Sequence, residues 1–299
     1  MPKNFEYYKM KFITKKYIKI PVRRKSSHKG NNGLVLAVGG SEDYTGAVTL
    51  SGLAALRSGA DLVKIIAPEK VAWAINAYSP DLTTLKLKTD NFKSVHSKIV
   101  ENEMGRKFDV LLIGNGIGLN SETKKFCRNT ISSIKKFKVI DADAIKSISM
   151  DYAENSIITP HSKELEYFLL NSKVNKNIIE KINDGKNIFK KSQLIKKTTQ
   201  KFLDRNNIIL LKGKIDAVIS KDKILLVKGG NSGMTKGGTG DVLAGLCAGF
   251  LAQSKDMLQS AINASYFNKK IGDILLKKKK GFTYLASDMV EEIKRVKFK

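Results

Sequence analysis

Asn231-Ser232-Gly233-Met234-Thr235-Lys236-Gly237-Gly238-Thr239-Gly240-Asp241-Val242-Leu243-Ala244-Gly245 is the stretch on which the fold and the chemistry turn. Three glycines fall within four positions, and an apolar helical pattern follows them. A backbone without Cβ atoms can aim successive N–H groups at one point, and the start of a helix adds positive potential there. This predicts an anion hole over Gly238, Thr239 and Gly240 for a phosphoryl group. Asp241, in the first helical turn, faces the same spot. Its carboxylate can take the proton of a substrate hydroxyl as that hydroxyl attacks phosphorus. In isolation such an acid need only stabilise the helix start; the neighbouring glycines favour the catalytic base. No G-x-x-x-x-G-K-[ST] occurs, which excludes a P-loop enzyme.

Working outward, apolar runs alternate with helical patterns along the whole chain. Strands are predicted over Leu34–Val38, Leu62–Ala67, Val110–Ile113, Lys138–Asp141, Ser156–Thr159, Ile208–Lys212, Ala217–Ser220 and Ile224–Val227. Several are unbroken Val/Ile/Leu runs, as expected of strands buried on both faces of a parallel sheet. Helices are predicted over Thr45–Ser58, Ser121–Lys136, His161–Leu170, Asp184–Asp204, Gly240–Gln253 and Asp256–Leu276. The alternation predicts a three-layer α/β/α domain with a mostly parallel central sheet. Lys221-Asp222-Lys223 reads as a tight hairpin, which gives that sheet an antiparallel edge. No repeat or linker divides the chain. Residues 1–21 are expected to form a basic extension and 22–299 a single domain.

Ligands of such sheets bind beyond the carboxyl ends of the strands, so the residues just past each strand are the candidates. Gly39-Gly40-Ser41 and Tyr44-Thr45-Gly46-Ala47 lead into a helix with small residues at Gly52, Ala54, Ala55 and Gly59. Close packing and close approach of a flat ligand both account for those. Gly114-Asn115-Gly116-Ile117-Gly118 is a turn that passes near a ligand, but its spacing is not that of a Rossmann fingerprint. In Asp141-Ala142-Asp143 a carboxylate can hold a magnesium-bound water or cap the next helix. In Thr159-Pro160-His161-Ser162-Lys163-Glu164, Pro160 suits a helix start and Glu164 its first turn. His161 stands at that helix start, either as a ligand contact or as a surface residue. Lys212 followed by Gly213 and Lys214 suits a nucleotide phosphate or ribose.

Composition narrows the classes. The 299 residues carry a net charge of +26, which favours anionic partners. Only seven of the 54 basic residues are Arg, and the Lys are scattered. That fits a solvated surface better than a nucleic-acid footprint. A nucleic-acid-binding protein without catalysis stays an alternative of another class; it predicts a steep salt dependence of affinity. No run of 18 apolar residues occurs, and the first 24 residues lack the apolar core of a secretory signal. With two cysteines, Cys127 and Cys247, no disulfide framework is expected, and a cytoplasmic setting follows.

Gly237-Gly238-Thr239-Gly240-Asp241 resembles the anion-hole and base motif of the ribokinase-like superfamily. Within it, the chain from Val22 to Val296 resembles the ADP/ATP-dependent NAD(P)H-hydrate dehydratases. The matching stretches are His28-Lys29-Gly30-Asn31-Asn32-Gly33, Val38-Gly39-Gly40-Ser41, Tyr44-Thr45-Gly46-Ala47, Ile113 to Gly118, Asp141-Ala142-Asp143-Ala144, Ile158-Thr159-Pro160-His161, Leu211-Lys212-Gly213 and Asn231 to Asp241. The resemblance implies a cofactor-repair enzyme that dehydrates the S epimer of hydrated NADH or NADPH. The ring hydroxyl is phosphorylated from ADP or ATP and phosphate is then lost. A vitamin-precursor kinase of the same superfamily is the alternative, told apart by a phosphorylated product.

Carried over residue by residue, hydrate binding falls on Ala47, Gly118, His161 and Asp241. Nucleotide binding falls on Lys212, Gly213, Lys214, Ile215, Asp216 and Gly240. Mg²⁺ is implied with the donor, with Glu164 and Asp141 as holders of its waters. A homotetramer and a separate epimerase partner are also implied, since the residues before Val22 are too few for a fused one. Two positions depart from the family: Asn115 stands where Pro is usual and Asp216 where Thr is usual. The second leaves the choice between ADP and ATP open.

Overall fold

The computed structural model describes residues 11–279 and 281–296. The first ten residues of the expected 1–21 extension, Lys280 and the last three residues of the expected 22–299 domain lie outside them. Ten strands form one sheet: β1 (Lys11–Phe12), β2 (Leu34–Val38), β3 (Leu62–Pro68), β4 (Thr83–Leu87), β5 (Val110–Ile113), β6 (Phe137–Ile140), β7 (Ser156–Ile158), β8 (Asn207–Leu211), β9 (Asp216–Ile219) and β10 (Ile224–Val227). Their order is β1-β10-β9-β8-β7-β6-β5-β2-β3-β4. From β8 through β7, β6, β5, β2 and β3 to β4 every pairing is parallel. Only β9 runs against its neighbours, pairing antiparallel with β8 and with β10.

Among the described residues twelve α-helices flank the sheet: α1 (Thr45–Arg57), α2 (Glu69–Tyr78), α3 (Ser97–Arg106), α4 (Ser121–Ser133), α5 (Ala142–Ser147), α6 (Ser162–Asn171), α7 (Lys176–Asn183), α8 (Ile188–Thr198), α9 (Gln200–Leu203), α10 (Thr239–Ser254), α11 (Met257–Lys278) and α12 (Ala286–Ile293). The pleat of β2 divides the core. Val35 and Ala37 join the side chains of α1, α2, α10, α11 and α12, whereas Leu34, Leu36 and Val38 join those of α3 to α9. Each face thus buries a full apolar layer, at about 1.5–3 kcal/mol per large aliphatic side chain. This is why the strands read as unbroken apolar runs.

Residues 11–21, the described part of the expected extension, pack onto the domain: β1 pairs in parallel with β10, Ile13 is buried, and the side chains of Gln259 and Asn263 donate to the Tyr17 and Lys19 carbonyls. The helix expected over 184–204 is two shorter pieces, α8 and α9, and starts late because Asn187 accepts from Phe189 and Lys190 and caps α8. The small residues of α1 serve packing. A Cβ on Gly245 of α10 would lie 2.2 Å from the Ser51 carbonyl oxygen, so the two helices meet backbone to backbone, and Ala54 and Ala55 have no exposed surface. The stretch 28–33 is structural as well: the Gly30 and Asn32 amides donate to Asp61, which sits just before β3. This places it at the opposite end of the sheet from the residues described next.

Candidate active site

The carboxyl ends of β5, β6, β7 and β8 lie side by side and put Asn115, Asp141, Thr159 and Lys212 in a row. Asp141 is 1% exposed. Its Oδ1 accepts from Thr159 Oγ1 at 2.6 Å and from Lys212 Nζ at 3.0 Å, and its Oδ2 accepts from Asn115 Nδ2 at 3.0 Å. Asp141 occupies the N-cap position of α5 without capping it, so the helix-cap reading falls. Asp143 instead orders the glycine turn: its Oδ2 accepts the Gly118 amide at 3.1 Å while Lys146 holds Oδ1. At Gly118 a Cβ would meet nothing within 4 Å, so this backbone faces open space.

Lys212 also lies 3.4 Å from Glu164 Oε2. Burial alone would favour loss of its proton, but Asp141 and Glu164 outweigh burial and hold the ammonium charged, above the ordinary lysine range. A Cβ on Gly240 would stand 3.4 Å from that ammonium, so Lys212 reaches the start of α10. Glu164 is buried, and its Oε2 accepts the His161 amide at 2.9 Å. The His161 ring closes the other half of this capping box, with Nδ1 accepting the Lys163 and Glu164 amides. An accepting Nδ1 puts the proton of a neutral ring on Nε2. Burial, ahead of Glu164, Lys212 and the other nearby charges, lowers the His161 pKa and favours that neutral form.

Gly238, at φ +89°, is the N-cap of α10, where the first amides of a helix have no intrahelical partner; that of Thr239 donates back to the Lys236 carbonyl at 3.4 Å. The Thr239 hydroxyl likewise donates to the Met234 and Lys236 carbonyls, which ties down the loop before the helix. Asp241 Oδ1 accepts from Asn115 Nδ2 at 2.7 Å. Burial, with the charge of Asp141 next, pushes the Asp241 pKa up to about 7 against the opposing Asn115 hydrogen bond.

Beside this network lies a cavity of about 830 Å³, within the range of small-molecule sites. His161, Lys212, Gly213, Lys214, Asp216 and Gly240 are among its lining residues. Ile215 is not; it packs on the apolar layer beneath α6 to α9. Asp216 is in the wall but spent: it accepts from the Gly213 amide at 2.9 Å and Ser265 Oγ at 2.7 Å, and Lys269 Nζ stands at 3.2 Å. This carboxylate is therefore paired inside the wall and shapes the 212–216 turn. Ala47 and Gly118 sit outside this cavity. They belong to the glycine turn on the Asp241 side, where a Cβ on Gly116 would come within 3.0 Å of the Ala47 Cβ. Sequence reasoning missed Lys269 and Ser265, and it met Asn115 only as a departure. Their one signal was position: Asn115 directly follows a strand, and the other two share one face of α11.

The family described as NAD(P)H-hydrate dehydratase matches residues 35–295. A bifunctional NAD(P)H-hydrate repair enzyme from Methanocaldococcus jannaschii is 39% identical over 277 residues, which are 92% of this chain and 50% of that protein. The chain thus spans about half the length of the bifunctional relatives. An ADP-dependent (S)-NAD(P)H-hydrate dehydratase from Nitrosopumilus maritimus is 32% identical, with 95% of this chain and 94% of that one covered. Among solved structures, a ribokinase-like superfamily protein from Enterococcus faecalis superposes with a TM-score of 0.79 at 26% identity, over 98% of this chain and 97% of that one. The Bacillus subtilis ADP/ATP-dependent NAD(P)H-hydrate dehydratase co-crystallised with ATP/Mg²⁺ shares the fold, with a TM-score of 0.77 at 24% identity over 97% and 99% of the two chains.

Proposed function

Because the chain belongs to the NAD(P)H-hydrate dehydratase family, we propose that it converts the S epimer of hydrated NADH and NADPH back to the reduced cofactors at the expense of ADP or ATP. One observation carries the reading: a carboxylate with a pKa near neutrality, Asp241, stands in the first turn of α10 beside the amides of a glycine-rich helix start. Asp241 takes the proton from the ring hydroxyl while that oxygen attacks the terminal phosphorus of the donor. The amides of Gly238 and Gly240 and the Lys212 ammonium stabilise the charge on the transferred group. The phosphorylated hydroxyl is then a far better leaving group than hydroxide, and its departure as phosphate, with loss of a proton from the neighbouring ring carbon, restores the ring double bond.

Ala47 and Gly118 border the hydrate, and Lys212, Gly213, Lys214 and Gly240 the donor. Mg²⁺, bound with the donor phosphates, would screen their charge. It asks few protein ligands and retains its waters. Asp141 has both oxygens engaged, so Glu164 Oε1, whose neighbour is His161 Nε2 at 3.5 Å, is the better holder of such a water. A homotetrameric assembly, a separate epimerase that supplies the S epimer, and a cytoplasmic setting belong to the same proposal. Among the described residues no helix is long and apolar enough to cross a membrane.

The test is the near-ultraviolet absorbance of the dihydronicotinamide on mixing the protein with hydrated NADH, Mg²⁺ and either ADP or ATP. A rise that needs one nucleotide supports the reading and names the donor. The rate should climb as pH rises through about 7, because the base acts only when deprotonated. A phosphorylated product without the rise would point to a kinase. Replacing His161 by Ala should raise the hydrate KM roughly ten-fold, the value of one hydrogen bond, while the nucleotide KM stays within about two-fold. A change confined to the nucleotide would move His161 to the donor subsite, whose cavity it also lines.

A further inference from the structure

We propose that Asn115 is a positioning residue that holds the Asp241 carboxylate apart from Asp141 and ready for the substrate hydroxyl, a role that rests on the dehydratase reading above. Asn115 is 1% exposed and lies in the turn after β5. Its one amide nitrogen donates to both acids, to Asp241 Oδ1 at 2.7 Å and to Asp141 Oδ2 at 3.0 Å. A primary amide has two N–H donors, one for each carboxylate. Its orientation is settled by these partners, since the flipped amide would set oxygen against two carboxylates. Among the described residues the Asn115 Oδ1 has no hydrogen-bond partner, so neither its placement nor its burial is explained by a bond of its own. The donors are what the position supplies.

The clamp acts on both geometry and charge. With Oδ1 held, the other oxygen of Asp241 is left for the substrate. The charged groups acting on Asp241 are Asp141 beyond β6, Glu164 on α6 and Lys212 beyond β8. The two carboxylates oppose its ionisation, and Lys212 and the Asn115 amide favour it. Of these, only Asn115 touches Asp241 through a hydrogen bond.

The experiment compares wild type with Asn115→Ala and Asn115→Ser in the absorbance assay from about pH 5 to pH 9.5. The acid limb of kcat should move up by about one pH unit, the difference made by one charge-assisted hydrogen bond. Most of kcat should return at high pH, with the nucleotide KM unchanged. A kcat reduced by one factor at every pH, or an unmoved limb, would overturn the clamp. A titration of aspartate carboxyl carbons by ¹³C NMR, with the Asp241 signal identified by its loss in Asp241→Asn, reads the same shift without turnover. If wild type shows no dehydration, the dehydratase reading falls and this titration alone decides the clamp.

Discussion

Asp241→Asn is expected to lower turnover by roughly 10²–10⁴-fold, the usual worth of a general base, and to leave nucleotide binding within about two-fold. The amide keeps the shape of the side chain and loses only the site for the proton. The fold should survive. Burial lifts the Asp241 pKa from 3.8 to about 7, so the folded protein holds this proton more tightly than the unfolded chain does. Its ionisation therefore works against the fold as pH rises from about 4 to about 7, and a neutral Asn escapes that cost. Melting temperature equal to or above wild type at neutral pH, with calorimetric titration of ADP or ATP intact, is the expected pair of results. Near-wild-type turnover would remove Asp241 as the base.

Lys212→Met should strike both stability and chemistry. Lys212 is the cation that Asp141 and Glu164 share. Removing one partner of a buried ion cluster leaves uncompensated charge and costs about 3–5 kcal/mol. For a chain of this size that is a fall in melting temperature of roughly 6–15 °C. Turnover should collapse as well, because the ammonium also faces the start of α10. The double variant Lys212→Met/Asp141→Asn removes charge of both signs and should regain much of the stability but none of the turnover. A single variant that melts like wild type would show that the cluster is not held by this lysine.

The origin of the site explains which of its parts were readable in advance. Gly238, Gly240 and Asp241 are three neighbours whose spacing is itself the structure, since left-handed backbone and a free helix start follow from local sterics. Lys212, Asp141 and Glu164 were recognisable as strand-end or helix-start residues. Their roles changed once folding brought them together: the lysine expected at a phosphate also neutralises two acids, and the acid expected at a metal has both oxygens taken. Asp216, which left the choice of donor open, is paired with Lys269 on α11. The missed elements have physical reasons too. β4 is only partly buried and lacks an unbroken apolar run, and β1 is two residues long and gains its order from β10.

By itself, then, the sequence determined the parallel sheet, the hairpin that interrupts it, and the glycine-rich helix start with an acid in its first turn. Each rests on interactions among near neighbours in the chain or on an apolar pattern repeated along it. Tertiary structure alone decided which oxygen meets which nitrogen. Asn115 and Asp241 are 126 residues apart, and Lys212 and Asp141 are 71. The charge state of Asp241 follows from the burial and ion pairing those meetings create, because the cost of a charge depends on what surrounds it and not on what precedes it in the chain.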